Sequence, residues 1–202
     1  MNLPSITLDT TRATLGGVAL FQAVASVVAS SRGGEGKARA AKANAIGAAV
    51  CLIAASVYHR MKSTSGSEVE DLRHADWLVT CPLMLWELYV LMDIGVAANP
   101  VSFCVSVVAI VACVLLGRFA AGARRGRRAL LFSLATGAFA VMLASVGSRV
   151  DWSRAENAVP FAFLSLWSLY PLAFWEKSGS AYNVLDLVTK GAFGIYVGAK
   201  AL

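Results

Sequence analysis

RHADWLVTCPLMLWE, residues 73–87, is an otherwise apolar stretch that carries an arginine, an aspartate and a glutamate. Charged side chains inside a membrane helix are costly, and they are usually paired or functional. On a helix, Arg73 lies three positions before Asp76 and Thr80 lies four after it, so all three share one face. Glu87 lies on the same side, about three turns or roughly 16 Å further along the axis. The stretch therefore predicts a membrane helix with polar groups at successive depths.

The composition is that of an integral membrane protein. Of 202 residues, 57% are hydrophobic and 15% are charged, and the mean hydropathy is +0.64. A soluble domain has about 25% charged residues. The net charge of +6 comes from basic residues between apolar segments, which indicates membrane-flanking charge and no nucleic-acid partner. The four cysteines lie in apolar runs without CxxC or Cys/His spacing, so we expect buried free thiols and no metal site.

Seven apolar segments are each close to the ~20 residues that cross a bilayer as a helix. The polar connections between them are too short to hold a second domain. The sequence therefore predicts an all-α fold, a seven-transmembrane-helix bundle that forms a single domain over residues 1–202. The predicted segments are Leu15–Ser30, Ala41–Met61, His74–Met92, Val101–Phe119, Ala129–Gly147, Ala158–Trp175 and Tyr182–Leu202.

The basic residues give conflicting indications of membrane orientation. The loops after segments one, three and five, with the C-terminus, hold seven Lys and Arg residues, whereas the N-terminus and the other three loops hold nine. The positive-inside rule then favours a cytoplasmic N-terminus, mainly because of the loop ARRGRR at residues 123–128. This loop either binds lipid headgroups or an acidic partner, or is an ordinary solvated loop.

The seventh segment places a lysine and an aspartate in the middle of the membrane. In LDLVTKGAFG, Asp186 and Lys190 are one helical turn apart on one face. A lysine at this depth must be deprotonated, paired or chemically modified, and both Asp76 and Asp186 are candidates to face it. The pair is either a structural ion pair or part of a site. Lysine also forms Schiff bases with carbonyl compounds, and a protonated Schiff base needs a carboxylate counter-ion.

The sixth segment supplies aromatic side chains in WSLYPLAFW, which runs from Trp167 to Trp175 and includes Tyr170 and Pro171. Trp77 lies beside Asp76 on the third segment. Such a stripe is either ordinary packing or the wall of a site for a flat, conjugated ligand.

These three motifs resemble the third, sixth and seventh helices of the microbial (type-1) rhodopsins. The seven-segment layout extends the resemblance over the whole chain. The resemblance implies seven helices around all-trans retinal, bound covalently as a Schiff base to Lys190. It implies that Asp76 is the primary counter-ion and proton acceptor, that Asp186 is the second counter-ion, and that Arg73 couples them to the proton release route. The residues implied to contact the retinal are Trp77, Met84, Trp167, Tyr170, Pro171, Trp175 and Thr189.

The set Asp76, Thr80 and Glu87 is similar to that of the proteorhodopsin and xanthorhodopsin group of outward proton pumps, in which the glutamate returns a proton to the Schiff base. We therefore expect a light-driven outward proton pump and not an enzyme. Directional transfer requires two carboxyls with opposite starting protonation states. Glu176 is either the proton release group or a solvated loop charge.

Two alternatives within the same family remain. DLVTK is similar to sensory rhodopsin II, in which a threonine at the place of Thr189 bonds the tyrosine at the place of Tyr170. This similarity suggests a sensory photoreceptor with a transducer as partner. The compact loops resemble viral rhodopsins, some of which are light-gated cation channels.

The expected partners follow from the family resemblance. They are membrane lipids, transported protons and further copies of this chain in a homo-oligomer, either a trimer or a pentamer. The expected location is the plasma membrane, as a multi-pass protein.

Overall fold

Seven helices make up the computed structural model, which describes residues 7–176 and 178–202. The chain is 85% helical, without strands in that part. The helices are α1 (Leu8–Ser31), α2 (Glu35–Met61), α3 (Ser67–Leu91), α4 (Pro100–Ala121), α5 (Arg125–Gly147), α6 (Ala155–Glu176) and α7, which runs through Gly179–Asp186, Leu187–Ala192 and Phe193–Ala201. The predicted all-α seven-helix bundle is confirmed.

The first three helices begin earlier than their apolar segments do. Thr7 caps α1, its side chain accepting a hydrogen bond from the backbone N–H of Thr10. Glu35 lies in the first turn of α2, and Glu68 lies in that of α3. Side-chain acceptors and acidic groups stabilise helix N-termini. Polar turns therefore extend these helices beyond the apolar residues from which their spans were predicted.

Among the described residues, five helices are long and apolar enough to cross a membrane, namely α1, α2, α4, α5 and α6. Helix α3 matches them in length, but its apolar run is interrupted by charged side chains. Helix α7 is interrupted by a π-helical turn over Leu187–Ala192. The two helices outside this set, one interrupted by charged side chains and one by the π turn, are therefore the two that carry Asp76 and Lys190.

The helices pack as a closed bundle in which α7 lies against α1 and α2. The largest core cluster has members from each of the six helices α2 to α7. It includes Leu85, Met142 and Leu164, each fully buried. Large apolar side chains cover the outer faces instead, among them Val101 at 75% exposure. Apolar outer faces suit a lipid environment.

Cys104 is exposed on the outer face of α4, contrary to the expectation of a buried thiol. An apolar run in the sequence does not tell which face of the helix a residue occupies.

Local departures from α-helical geometry lie next to the sequence motifs. Helix α6 tightens into a 3₁₀ turn over Leu166–Leu169, directly before Tyr170 and Pro171. The π turn of α7 contains Thr189 and Lys190. Such π turns frequently occur at functional sites.

Candidate functional site

Lys190 is the centre of a buried ion cluster between α3 and α7. Its side chain is 2% exposed, and its Nζ donates to Oδ2 of Asp76 and, at 3.4 Å, to Oδ2 of Asp186. Removing charges from water is costly unless they are paired and hydrogen-bonded. The structure therefore brings together the three residues that the two motifs had suggested as a group.

The two aspartates differ in how their oxygens are bonded. Asp186 accepts three further hydrogen bonds: from the hydroxyl of Tyr58 at 2.9 Å, from that of Tyr170 at 2.5 Å, and from the indole N–H of Trp77 at 3.3 Å. Oδ1 of Asp76 is buried and has no hydrogen-bond partner among the described residues. Donors stabilise a carboxylate, so Asp186 is the carboxylate held in one position and Asp76 is the one with accepting capacity left.

Arg73 completes the cluster one layer further along α3. It is 1% exposed, and its Nη1 donates to the hydroxyl of Tyr58 at 3.1 Å. Both terminal nitrogens lie 3.4 Å from Oδ1 of Asn183, and the guanidinium lies 4.9 Å from the ring centre of Tyr182. Two cations and two carboxylates are thus buried together, and Tyr58 connects Arg73 to Asp186.

Tyr58, Asn183 and Tyr182 were not singled out from the sequence. Asn183 lies three positions before Asp186 and seven before Lys190, which places all three on one face of α7. That spacing was a usable signal for Asn183. Tyr58 belongs to a different helix, so only the packing of α2 against α3 and α7 brings it to the cluster.

The two threonines of the motifs are buried and hydrogen-bonded. The Thr80 hydroxyl donates to the backbone carbonyl of Asp76 at 2.9 Å. The Thr189 hydroxyl donates to the carbonyl of Leu185 at 2.8 Å and lies 3.0 Å from the Tyr170 hydroxyl. Thr189 therefore links the π turn of α7 to α6.

An apolar cavity extends from Lys190 between α3, α4, α5 and α6. Its walls include residues expected from the motifs, namely Trp77, Met84, Trp167, Tyr170, Pro171 and Thr189. The ring of Trp77 packs edge-to-face on Tyr170, with ring centres 5.1 Å apart. Helices α4 and α5, in which no motif was found, contribute Ile110, Cys113, Val114, Gly117, Phe132, Ala135, Thr136 and Phe139.

Trp175 lies outside this cavity, contrary to the expectation that it lines the site. It is 55% exposed, and its ring centre is 5.3 Å from that of Phe132, with the Arg128 guanidinium 5.4 Å away. Phe174 lines the cavity instead. Phe174 follows Tyr170 by four positions and Trp167 by seven, so it shares their face of α6, whereas Trp175 points about 100° away from Phe174.

The two remaining acidic candidates lie apart from the Lys190 cluster. Glu87 is 2% exposed, and its Oε1 lies 3.5 Å from Nε2 of Gln22 on α1. Glu176 is exposed at the end of α6, at the same end of the bundle as Asn183. Within the described ranges, no three His, Cys, Asp or Glu side chains form a group that could hold a metal ion.

Comparison with known proteins identifies this arrangement. Residues 7–201 match the family described as bacteriorhodopsin-like protein. Opsin-1 of Neurospora crassa is 32% identical over 148 residues, which covers 62% of this chain and 47% of Opsin-1. The chain spans about half the length of the relatives that it matches by sequence.

Solved structures share the fold at lower identity. Xanthorhodopsin, described as a light-driven ion pump with dual chromophore, superimposes with a TM-score of 0.76 at 19% identity, covering 98% of this chain and 96% of xanthorhodopsin. The light-driven proton pump of Coccomyxa subellipsoidea gives a TM-score of 0.68 at 22% identity, covering 94% of each chain. The prediction of a microbial rhodopsin is confirmed: this integral membrane protein belongs to the bacteriorhodopsin-like family, whose members bind retinal.

Proposed function

We propose that the protein is a light-driven outward proton pump in which all-trans retinal is bound as a Schiff base to Nζ of Lys190. The observation that carries the proposal is the unequal bonding of the two carboxylates around that nitrogen, together with a third carboxyl, Glu87, buried elsewhere on α3.

The residues present fit a retinal. The cavity is lined almost entirely by apolar and aromatic side chains, and the Lys190 amine is its reactive group. Apolar walls with few polar groups suit a long conjugated hydrocarbon. The buried, unpartnered Oδ1 of Asp76 beside the amine supplies an acceptor that such a site needs.

Lys190 would hold the retinal, which would supply a light-driven isomerisation and lower the proton affinity of Nζ. Asp76 then takes the proton from Nζ, because its Oδ1 has accepting capacity left. Asp186 stays ionised, since Tyr58, Tyr170 and Trp77 hold its oxygens. Thr80 holds the backbone next to Asp76.

Glu87 is the proton donor in this proposal. It returns a proton to Nζ from the other end of α3, which requires that Glu87 holds its proton before illumination. Burial away from cations favours the neutral form of a carboxyl. Arg73 lies between the Lys190 cluster and the end of the bundle opposite to Glu87. Glu176 lies at that opposite end and is the proposed release group. Outward pumping requires that this end faces the outside, with the ARRGRR loop extracellular.

The remaining expectations belong to the same proposal. The protein functions in the plasma membrane as a homo-oligomer, a trimer or a pentamer, surrounded by lipids. It transports protons and catalyses no chemical conversion of a substrate.

A sensory photoreceptor is the second candidate, and one contact favours it. The hydroxyls of Tyr170 and Thr189 are 3.0 Å apart, so a change at the π turn of α7 would be passed directly to α6. A sensor would require a transducer as partner. The buried Glu87 favours the pump, because a sensor does not need a second proton-transfer carboxyl.

The test is to illuminate retinal-supplied cells that express the protein in unbuffered medium, and to record external pH with and without a protonophore. Acidification that the protonophore abolishes supports an outward pump. Alkalinisation would mean inward transport or an inverted protein. A coloured pigment without any pH change contradicts the pump, and photocurrent recording then separates a sensor from a light-gated cation channel.

A further inference from the structure

Gln22 on α1 is a fully buried amide that contacts Glu87. It is 0% exposed, and its Nε2 lies 3.5 Å from Oε1 of Glu87. This separation is longer than the usual N–H···O distance of about 2.7–3.2 Å, so the hydrogen bond is weak. Hydrogen bonds to a carboxylate are shorter and stronger than those to a neutral group. The long contact fits a neutral Glu87 carboxyl, whereas a carboxylate at the same place would attract a shorter hydrogen bond.

Two glycines from different helices make room for the amide. A Cβ atom on Gly47 of α2 would collide with Nε2 of Gln22 and lie 2.5 Å from Oε1 of Glu87. A Cβ atom on Gly194 of α7 would lie 2.8 Å from Oε1 of Gln22 and 2.6 Å from Val18. Real Cβ atoms essentially never approach this closely. Both glycines are therefore needed for the observed position of the Gln22 side chain.

General helix packing does not account for this arrangement. Gly198 is crowded in a similar way, but its neighbour is the apolar ring of Phe21. At Gln22 the crowded group is a polar amide, and its Oε1 is buried without a partner among the described residues. A buried amide destabilises the fold unless its hydrogen bonds are made. An apolar side chain of similar size would avoid that cost, so packing alone gives no reason for the amide.

We infer that Gln22 is a positioning residue for Glu87: its amide stabilises the carboxylate that forms when Glu87 gives up its proton. Gly47 and Gly194 leave the space that the Gln22 amide occupies. This inference rests on the proposed function, in which Glu87 returns a proton to Nζ of Lys190. Without the amide, the developing charge on Glu87 would lie in an apolar region, and proton transfer from it would slow.

The first test is Gln22→Met, which keeps the length of the side chain but removes its N–H groups. Flash spectroscopy measures how fast the deprotonated chromophore regains its proton. One lost hydrogen bond predicts slowing by about threefold to tenfold, with the preceding deprotonation step unchanged. The matched control is Asn44→Leu, which removes another fully buried amide, whose Nδ2 donates within the described residues to the backbone carbonyls of Ala40 and Val197. Reprotonation in this control should stay within about twofold of wild type.

Gly194→Ala is a second route to the same effect, because the new methyl group crowds the Gln22 amide, whereas Glu87 is not among its nearest neighbours. Gly198→Ala is its control, with similar crowding but no polar neighbour. Slowing in both glycine variants alike would attribute the effect to distorted packing and overturn the inference. Adding Gln22→Met to Glu87→Gln should slow the reaction no further than Glu87→Gln alone.

Infrared spectroscopy of the retinal-free protein gives a readout that does not depend on pumping. The Glu87 carbonyl stretch is identified as the band that Glu87→Gln removes, and Gln22→Met should move it to higher wavenumber, because the oxygen loses a donor. An unchanged band together with an unchanged rate overturns the inference. If the wild type transports no protons, the proposed function fails, while the infrared comparison still decides whether Gln22 bonds Glu87.

Discussion

The two ends of the polar stripe on α3 differ sharply in how their acids are held. Around Lys190, both aspartates accept from Nζ, and Asp186 also accepts from two tyrosine hydroxyls and an indole N–H. Among the described residues, Glu87 on the same helix has one hydrogen-bond partner, the Gln22 amide at 3.5 Å.

The difference indicates two kinds of acid at the two ends of the stripe. One kind is hydrogen-bonded so that it keeps its charge, and the other has few partners and can exchange a proton. Asp186 has many donors, which favour its ionised form, whereas Oδ1 of Asp76, without a partner among the described residues, leaves that residue able to accept a proton. A carboxyl in an apolar region with one weak donor keeps its proton until a stronger base forms elsewhere. In the proposed function, that base is Nζ of Lys190 after it has lost its own proton. The next predictions disturb one end at a time, from the largest expected effect to the smallest.

Replacing Lys190 should abolish the pigment completely. Lys190→Arg keeps a buried cation for Asp76 and Asp186, but a guanidinium does not form a Schiff base with retinal. Added retinal should therefore produce no visible absorption band. The retinal-free variant should fold, which thermal unfolding checks, whereas Lys190→Ala leaves two buried carboxylates unpaired and should cost about 3–5 kcal/mol. A normal pigment in Lys190→Arg would rule out this attachment site.

Neutralising Asp76 should stop proton transport and shift the absorption to the red. A negative charge beside Nζ stabilises the dark state more than the excited state, in which positive charge moves away from the nitrogen. Asp76→Asn removes that charge and also the proton acceptor. Absorbance spectra and light-driven pH recordings measure the two effects. Continued pumping by Asp76→Asn would contradict its role as acceptor.

Glu87→Gln should slow the return of the proton by about 10²-fold, the usual contribution of a positioned acid or base. The absorption maximum should stay where it is, since Glu87 is not among the residues around Nζ. Flash spectroscopy gives the rate and a static spectrum gives the maximum. A spectral shift as large as that of Asp76→Asn would show that the two ends of α3 are not separate.

Tyr58→Phe tests the link between Arg73 and Asp186. The hydroxyl donates to Asp186 and accepts from Arg73, so its loss leaves two buried charged groups less satisfied. We expect a loss of about 1–3 kcal/mol in unfolding free energy, measured by thermal unfolding. Tyr182→Phe is the control, because phenylalanine keeps the ring that covers Arg73. Equal losses in both variants would argue against a special role for the Tyr58 hydroxyl.

The smallest expected effect lies outside the membrane, at Asp93 after α3. Hydrogen bonds from Arg39, and then from Arg154, hold the pKa of Asp93 below its usual range. A lowered folded-state pKa adds stability above the unfolded pKa, and that stability is lost as the pH falls through the folded pKa. Asp93 is 46% exposed, so the contribution is about 0.2–1 kcal/mol.

Asp93→Asn isolates this charge, because asparagine tolerates the positive φ of 59° at this position. Thermal unfolding at neutral pH should show a slightly less stable variant. The difference from wild type should disappear well below the ordinary aspartate pKa of about 3.9. A difference that persists in acid would have another cause than the ion pair.

Periodicity within single helices carried most of what was predicted. The seven spans follow from apolar runs, and the grouping of Arg73, Asp76 and Thr80 follows from helical spacing. The approach of Asp186 and Lys190 to Asp76 was also predictable, because unpaired charges in a membrane must find each other. The individual roles of these residues stay proposals.

The sequence by itself thus determined the helices, the acids and the lysine, because those properties are local to one helix. Only the tertiary structure decided which faces meet. It brought Tyr58 to Asp186, Gln22 to Glu87, and helices α4 and α5, which carry no motif, to the cavity. These contacts depend on the order and rotation of helices around the bundle. Rotation is set by packing between chain segments far apart in sequence, which the spacing within one helix does not encode.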